Sequence, residues 1–305
     1  MTMAKDQVTI VGDSFALGYR FQRYWTASMA SAFFFGELGA GLFIVSMVYD
    51  VVPGMIGGLI ATGLLKPYFH LSHMGVPTNS WRAIMRPDRA WISRGMISIG
   101  VFVVFGLLHV VLQSGGIWGL DNASLGGESA VLPRMISVVA VLAALGVMLY
   151  HGFAISHSTA ISLWSTGLMP IIGCSYSFLG GTVLTRVLVQ DRDAAQSGLS
   201  LDSLSLLLLA VNALIIFILA YAALNGAPGA RVSMNLLLRG RFAKLFVPLV
   251  IGVGLVVPLI LLVWGPATSV SGLAAAACVL VGYYAFRSYI FKAGVYDPIM
   301  SFAPG

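Results

Sequence analysis

Residues 25–49 read WTASMASAFFFGELGAGLFIVSMVY, and Glu37 is the single formal charge among them. A helix rises 1.5 Å per residue, so about 20 apolar residues cross a hydrocarbon core roughly 30 Å thick. This stretch is long enough. Further runs of the same kind follow at 53–71, 92–112, 133–155, 167–188, 202–224, 243–264 and 268–290. Of the 305 residues, 58% are hydrophobic and 9% charged, with a mean hydropathy of +0.92; soluble domains are about 25% charged. Too little polar surface remains for a water-soluble protein of this length. The reading is an all-α integral membrane protein with eight transmembrane helices, arranged as two four-helix bundles.

The pI near 9.5 does not point to nucleic acid, because the basic residues fall between apolar runs and form no continuous basic face. Cys174 and Cys278 each lie inside an apolar run, so neither a disulfide framework nor a cysteine-held metal cluster is expected. A metal centre would need histidines or another subunit.

The chain divides into an N-terminal segment (1–24), the first four spans (25–155) and the last four with the tail (156–305). Residues 1–24 carry Lys5, Asp6, Asp13, Arg20 and Arg23 and lack a small-residue cleavage site after an apolar core, so the first span is a retained helix. Pro53 and Gly265-Pro266 predict tight hairpins between spans 1 and 2 and spans 7 and 8. The connections 72–91, 113–132, 156–166, 189–201 and 225–242 are polar enough to lie outside the hydrocarbon. Function is expected to concentrate there, and Trp81 and Trp91 suit the interface.

Counting basic residues, the N-terminal side has Lys5, Arg20, Arg23, Lys66, Arg82, Arg86, Arg89, Arg94, Arg231, Arg239, Arg241, Lys244, Arg287 and Lys292, and the other side has Arg134, Arg186 and Arg192. That bias puts both termini and the 72–91 loop in the cytoplasm. The other reading is that some of these arginines grip an anionic partner or lipid headgroups.

Ionisable groups inside lipid are costly and tend to mark function. Glu37 lies roughly 18 Å into span 1, flanked by Gly36, Gly39 and Gly41, which allow a neighbouring helix to approach closely. It is read as a proton relay or a ligand-facing carboxyl; the alternative is a protonated glutamic acid bonded between helices. His70 and His73 end span 2 and His151 lies near the end of span 4, so these three share one side, with His109 at the opposite depth. One haem could be held by His70 or His73 with His151. No second pair of matched depth exists, and the reading is a chain without haem or metal.

The stretch from His73 to Gly95, HMGVPTNSWRAIMRPDRAWISRG, resembles the segment between the second and third helices of the NrfD/polysulfide reductase membrane-subunit family, to which the DMSO reductase anchor subunits are related. FFFGELGAGLF at 33–43, Tyr150-His151-Gly152-Phe153 and LWSTGLMPI at 163–171 are similar to further family stretches. The resemblance covers about 25–190 and is weak over the last three spans. Val76 stands where the family usually has Arg, and Gly95 stands where DMSO reductase anchors tend to have Glu.

The resemblance implies a multi-pass subunit of the prokaryotic inner membrane, serving anaerobic respiration. It would exchange electrons between menaquinone or ubiquinone and a ferredoxin-like iron-sulfur subunit, which in turn serves a molybdopterin-type catalytic subunit. Such a chain is an enzyme only as the quinone-reactive part of its complex. The quinone is the redox group, and the clusters belong to the partner. On this reading His73, Arg94 and Glu37 are catalytic, and Tyr24, Trp25, His73, Trp81, Arg94, Tyr150 and His151 form the quinone pocket near the interface. Imidazole titrates near neutrality, and Arg94 would orient a carbonyl and stabilise developing charge. Individually these residues also read as a loop cap at His73, a snorkelling cation at Arg94 and an interfacial aromatic belt. The competing functions are a secondary transporter, for which no matched pair of interrupted helices is evident, and an inert anchor.

Overall fold

The computed structural model describes residues 18–115, 131–189, 200–265 and 269–297. The expectations placed on Lys5, Arg192, Pro266 and most of the 113–132 and 189–201 connections lie outside the described residues. The chain enters through β1 (Arg20–Phe21) and α1 (Ala27–Val48). One continuous helical stretch then follows, made of α2 (Val52–Ile60), a π-helical turn (Ala61–Leu65) and α3 (Lys66–Ser72). A 3₁₀ segment (Pro77–Met85) leads to α4 (Trp91–Gln113), α5 (Val131–Ser156), α6 (Leu168–Leu188) and α7 (Leu201–Asn225). After α8 (Pro228–Leu238) comes a second composite helix, α9 (Ala243–Phe246), a π-helical stretch (Val247–Val256) and α10 (Val257–Trp264); α11 (Ser269–Lys292) and β2 (Val295–Tyr296) close the fold.

The helix bounds follow the apolar runs to within about three residues. Among the described residues, seven helices are long and apolar enough to cross a membrane: α1, α4, α5, α6, α7, the composite Ala243–Trp264 and α11. The second run also forms a helix, but Lys66, Pro67 and His70 dilute its last turns, and it is not among the seven. The protein is thus an all-α membrane protein.

Both π-helical stretches end two positions before a proline, Pro67 in one case and Pro258 in the other. Proline has no N–H to donate and its ring crowds the carbonyl four residues back. Widening the preceding turn relieves that crowding without ending the helix. The start of α7 has an ordinary cause: the Ser203 backbone N–H donates to Ser200 Oγ at 3.1 Å, which satisfies one free amide of the first turn.

Helix α1 is the hub. Its apolar window is 83% buried, against 28% for α4 and α7, whose outer faces are left for lipid. Two hydrophobic clusters meet on it. Ala40, Phe43 and Ile44 pack with α2, α4 and α5, while Phe33, Phe34 and Leu38 pack with α6, α7 and α11. The absent side chains of Gly39 and Gly41 allow α1 to approach Gly58 of α2 and Ser177 of α6.

Two connections are built into the fold. Within 225–242, Pro228–Leu238 forms α8, which buries Ala230, Met234 and Leu237. The 156–166 connection turns inward, burying Ile161, Leu163 and Trp164, because the Trp164 indole N–H finds the Ile290 carbonyl at 3.0 Å and so satisfies its polar atom inside the core. The 72–91 loop remains on the surface, and its 3₁₀ segment has no buried residue. β1 and β2 pair antiparallel, Arg20 opposite Tyr296 and Phe21 opposite Val295, which joins the two ends of the described chain.

Candidate functional site

Glu37 is completely buried at the middle of α1. From α11, Arg287 Nε donates to Glu37 Oε2 at 2.9 Å and Nη2 donates to Oε1 at 2.6 Å. The Tyr283 hydroxyl, one turn earlier on α11, also donates to Oε2. This is a bidentate, charge-assisted pair, the strongest form of side-chain hydrogen bonding. From α5, His151 Nδ1 lies 3.7 Å from Oε1, and its ring packs on Phe33 with centroids 4.4 Å apart. Both His151 ring nitrogens and Arg287 Nη1 are buried without a hydrogen-bond partner.

Lys66, the first residue of α3, is 3% exposed. A Cβ built on Gly36 would fall 2.7 Å from His151 Cε1 and 2.8 Å from Lys66 Cδ. Glycine at 36 is therefore what lets the imidazole and the lysine stem cross α1 beside Glu37. The Lys66 ammonium lies 5.3 Å from the Tyr150 ring centroid.

Beside this cluster is a cavity of about 340 Å³ between α3, the 3₁₀ segment, α4 and α5. Leu71, Met74, Ala83, Ile92, Met96 and Ile99 make its wall apolar, while Lys66, His70, Ser80 and Tyr150 contribute polar groups. His70 Nδ1 is buried and unpartnered. Gly95 holds Tyr150 in the wall: any side chain at 95 would run into the tyrosine ring. That is the physical reason this chain has no acid at that position.

The residues selected from sequence divide among several environments. Glu37, His151 and Tyr150 come together, the first two in the ion cluster and Tyr150 between cluster and cavity. His73 caps the end of α3, half-buried, with Nδ1 3.3 Å from Thr26 Oγ1; its neighbour Met74 lines the cavity. Arg94 is exposed and turned outward, with Nε donating to the Pro87 carbonyl at 2.8 Å and Nη2 to the Asp88 carbonyl at 3.1 Å. Its guanidinium lies 4.4 Å from the Trp91 ring centroid. Trp25 packs into the core against Phe33, Trp164 and Phe291. Tyr24 and Trp81 are exposed at 72% and 53%, with Arg82 lying over the Trp81 ring.

Sequence reasoning missed Lys66, Tyr283 and Arg287. Lys66 and Arg287 belong to the basic residues of the topology count, yet both are buried. The signal was present, since each interrupts an apolar run just as Glu37 does; Tyr283 offered none. Among the described residues, no group of three or more His, Cys, Asp or Glu is arranged to hold a metal.

Fold and cluster together define a multi-pass helical membrane protein with a buried carboxylate–guanidinium pair next to a headgroup-sized cavity. The family model described as Polysulphide reductase, NrfD, matches residues 18–297. The chain belongs to the NrfD family, and the match takes in the last three spans, where the sequence resemblance had been weak. Comparison with curated proteins finds no match.

Proposed function

We propose that this chain is the membrane subunit of a polysulphide-reductase-type complex, exchanging electrons between menaquinone or ubiquinone and a ferredoxin-like iron-sulfur subunit that serves a molybdopterin-type catalytic subunit. The observation that carries the reading is the apolar cavity that abuts the Glu37 cluster. A quinone ring fits between apolar walls that exclude water, and His70 and Tyr150 offer hydrogen bonds to its oxygens. Oxidation of a quinol releases two electrons and two protons. His73, one turn beyond His70 and near water, takes protons to the surface, and Glu37 with His151 provides a second acceptor inside. Arg94 acts by tying the 86–90 turn to the start of α4, whose Ile92 and Met96 form the cavity wall. Tyr24 and Trp81 mark the interface at that end of the molecule, with Trp25 packed against the core.

The pairing of β1 with β2 supports an even number of crossings, hence eight with the 52–72 helix included. The two hydrophobic clusters support two four-helix halves, 25–155 and 156–305, that share α1. The surplus of exposed arginines at the paired ends supports cytoplasmic termini in a prokaryotic inner membrane.

The test compares quinone-linked turnover of the assembled complex with turnover from an artificial donor that feeds the catalytic subunit directly. Ile99→Trp, which fills the cavity, is expected to abolish the first and spare the second. His73→Ala is expected to lower quinone-linked turnover by roughly 10²- to 10⁴-fold, the usual worth of a positioned proton acceptor, and Arg94→Ala to lower it as well. Unchanged quinone-linked turnover in Ile99→Trp would move the site elsewhere.

A further inference from the structure

On the reading that the cavity holds a quinone, we propose that Lys66 is the residue that binds the quinone headgroup, its ammonium holding the ring oxygen that becomes anionic when the quinol loses its first proton. Among the described residues the Lys66 ammonium makes no hydrogen bond or ion pair within contact distance; it lies over the Tyr150 ring and feels the Glu37 carboxylate from further off. The nearby Glu37 carboxylate attracts it from a distance but gives it no hydrogen bond, both oxygens being bonded by Arg287 and one also by Tyr283. The other titratable groups around it are His151, His70 and Tyr150, none of which brings a negative charge in its ordinary form near neutrality. Glu37 and Arg287 cancel each other, so Lys66 is the surplus cation of the cluster.

The Lys66 side chain is almost wholly buried, and an ammonium held there with no oxygen partner is costly. The open direction for it is the cavity, whose wall it forms with His70 and Tyr150. A ring oxygen there removes the deficit, and an anionic one does so most strongly. The overall step is quinol → quinone + 2 H⁺ + 2 e⁻. The first proton leaves the hydroxyl held by Lys66 and passes to the unpartnered His70 Nδ1 and on toward water. The second leaves the other hydroxyl for the same His70 Nδ1, emptied by then toward water, as two electrons pass to the oxidised iron-sulfur clusters of the partner. The reverse sequence applies if the complex reduces quinone. Lys66 stabilises the singly deprotonated form in either direction.

The probe is a 2-alkyl-4-hydroxyquinoline N-oxide, a quinol analogue with an acidic hydroxyl, and its binding to the solubilised complex is read by fluorescence quenching. Lys66→Met is expected to weaken binding about 10- to 100-fold, the loss of a hydrogen bond to a charged group. It should weaken a neutral quinone analogue less, and Lys66→Arg should restore most of the affinity because it keeps the charge. If Lys66→Met fails to assemble, Lys66→Arg against Lys66→Gln decides the matter by the same difference in charge.

Equal affinity in the charged and uncharged variants, with binding abolished by Ile99→Trp, would overturn the role of Lys66 and leave the quinone cavity standing. Full binding in both Lys66→Met and Ile99→Trp would remove the cavity itself. Displacement of the probe by anionic phospholipid but not by a menaquinone analogue would make Lys66 a lipid-headgroup ligand and overturn the proposal.

Discussion

Glu37 and Arg287 stand 250 positions apart in the chain and neutralise each other where no water reaches. Removing one partner of such a pair strands the other, whereas neutralising both leaves no buried charge. Arg287→Met alone is therefore expected to destabilise the subunit by about 3–5 kcal/mol, and Glu37→Gln combined with Arg287→Met to recover most of that. Denaturant unfolding of the solubilised subunit measures both. A double variant as unstable as the single one would mean that the pair is held by packing and not by charge. The same double variant separates structure from chemistry, because on the proposed function it folds yet has lost the inner proton acceptor.

The helical stretch 52–72 turns on its π-helical segment. Five residues, Ala61–Leu65, make one widened turn directly before Lys66 and Pro67. In an α-helix each residue advances about 100° around the axis, so the extra residue of a π turn sets which way α3 faces. Inserting one alanine after Gly63 adds a residue that the already widened turn cannot absorb, and is expected to rotate α3 by about that angle. Lys66 and His70 would leave the cavity wall, while the hydrophobic length of the stretch would hardly change. The expected outcome is normal membrane insertion with loss of quinol-analogue binding; retained binding would show that the π turn does not aim the residues.

For the molecule as a whole, moving Lys66 and Arg287 into the core weakens the topology count without reversing it. Arg20, Arg23, Arg82, Arg86, Arg89, Arg94, Arg231, Arg239, Arg241, Lys244 and Lys292 still belong to the end where β1 meets β2, against Arg134 and Arg186 at the other. A reporter fused after Gly305 is expected to be active in the cytoplasm. Activity confined to the periplasm would reverse the orientation and, on the proposed function, leave the partner on the same face of the fold. The exposed 3₁₀ segment Pro77–Met85 borders the cavity through Ser80 and Ala83; on the proposed function, that is where the iron-sulfur partner is expected to dock.

The sequence by itself determined the membrane class, the helix bounds to within a few residues and, through the 73–95 stretch, the family. Each is legible because the length of an apolar run against the thickness of a bilayer is a local property, and because Glu37 is conspicuous in such a run. Only the tertiary structure decided that Arg287 answers Glu37, that Lys66 borders a cavity, and that Tyr150 fills the space beside Gly95 while Arg94 turns outward. The physical reason lies in the helices themselves. A soluble helix declares its inner face by a stripe of apolar residues, but these are apolar nearly all round. Their rotation and crossing are set by where glycines allow close approach and where buried charges find partners on other helices.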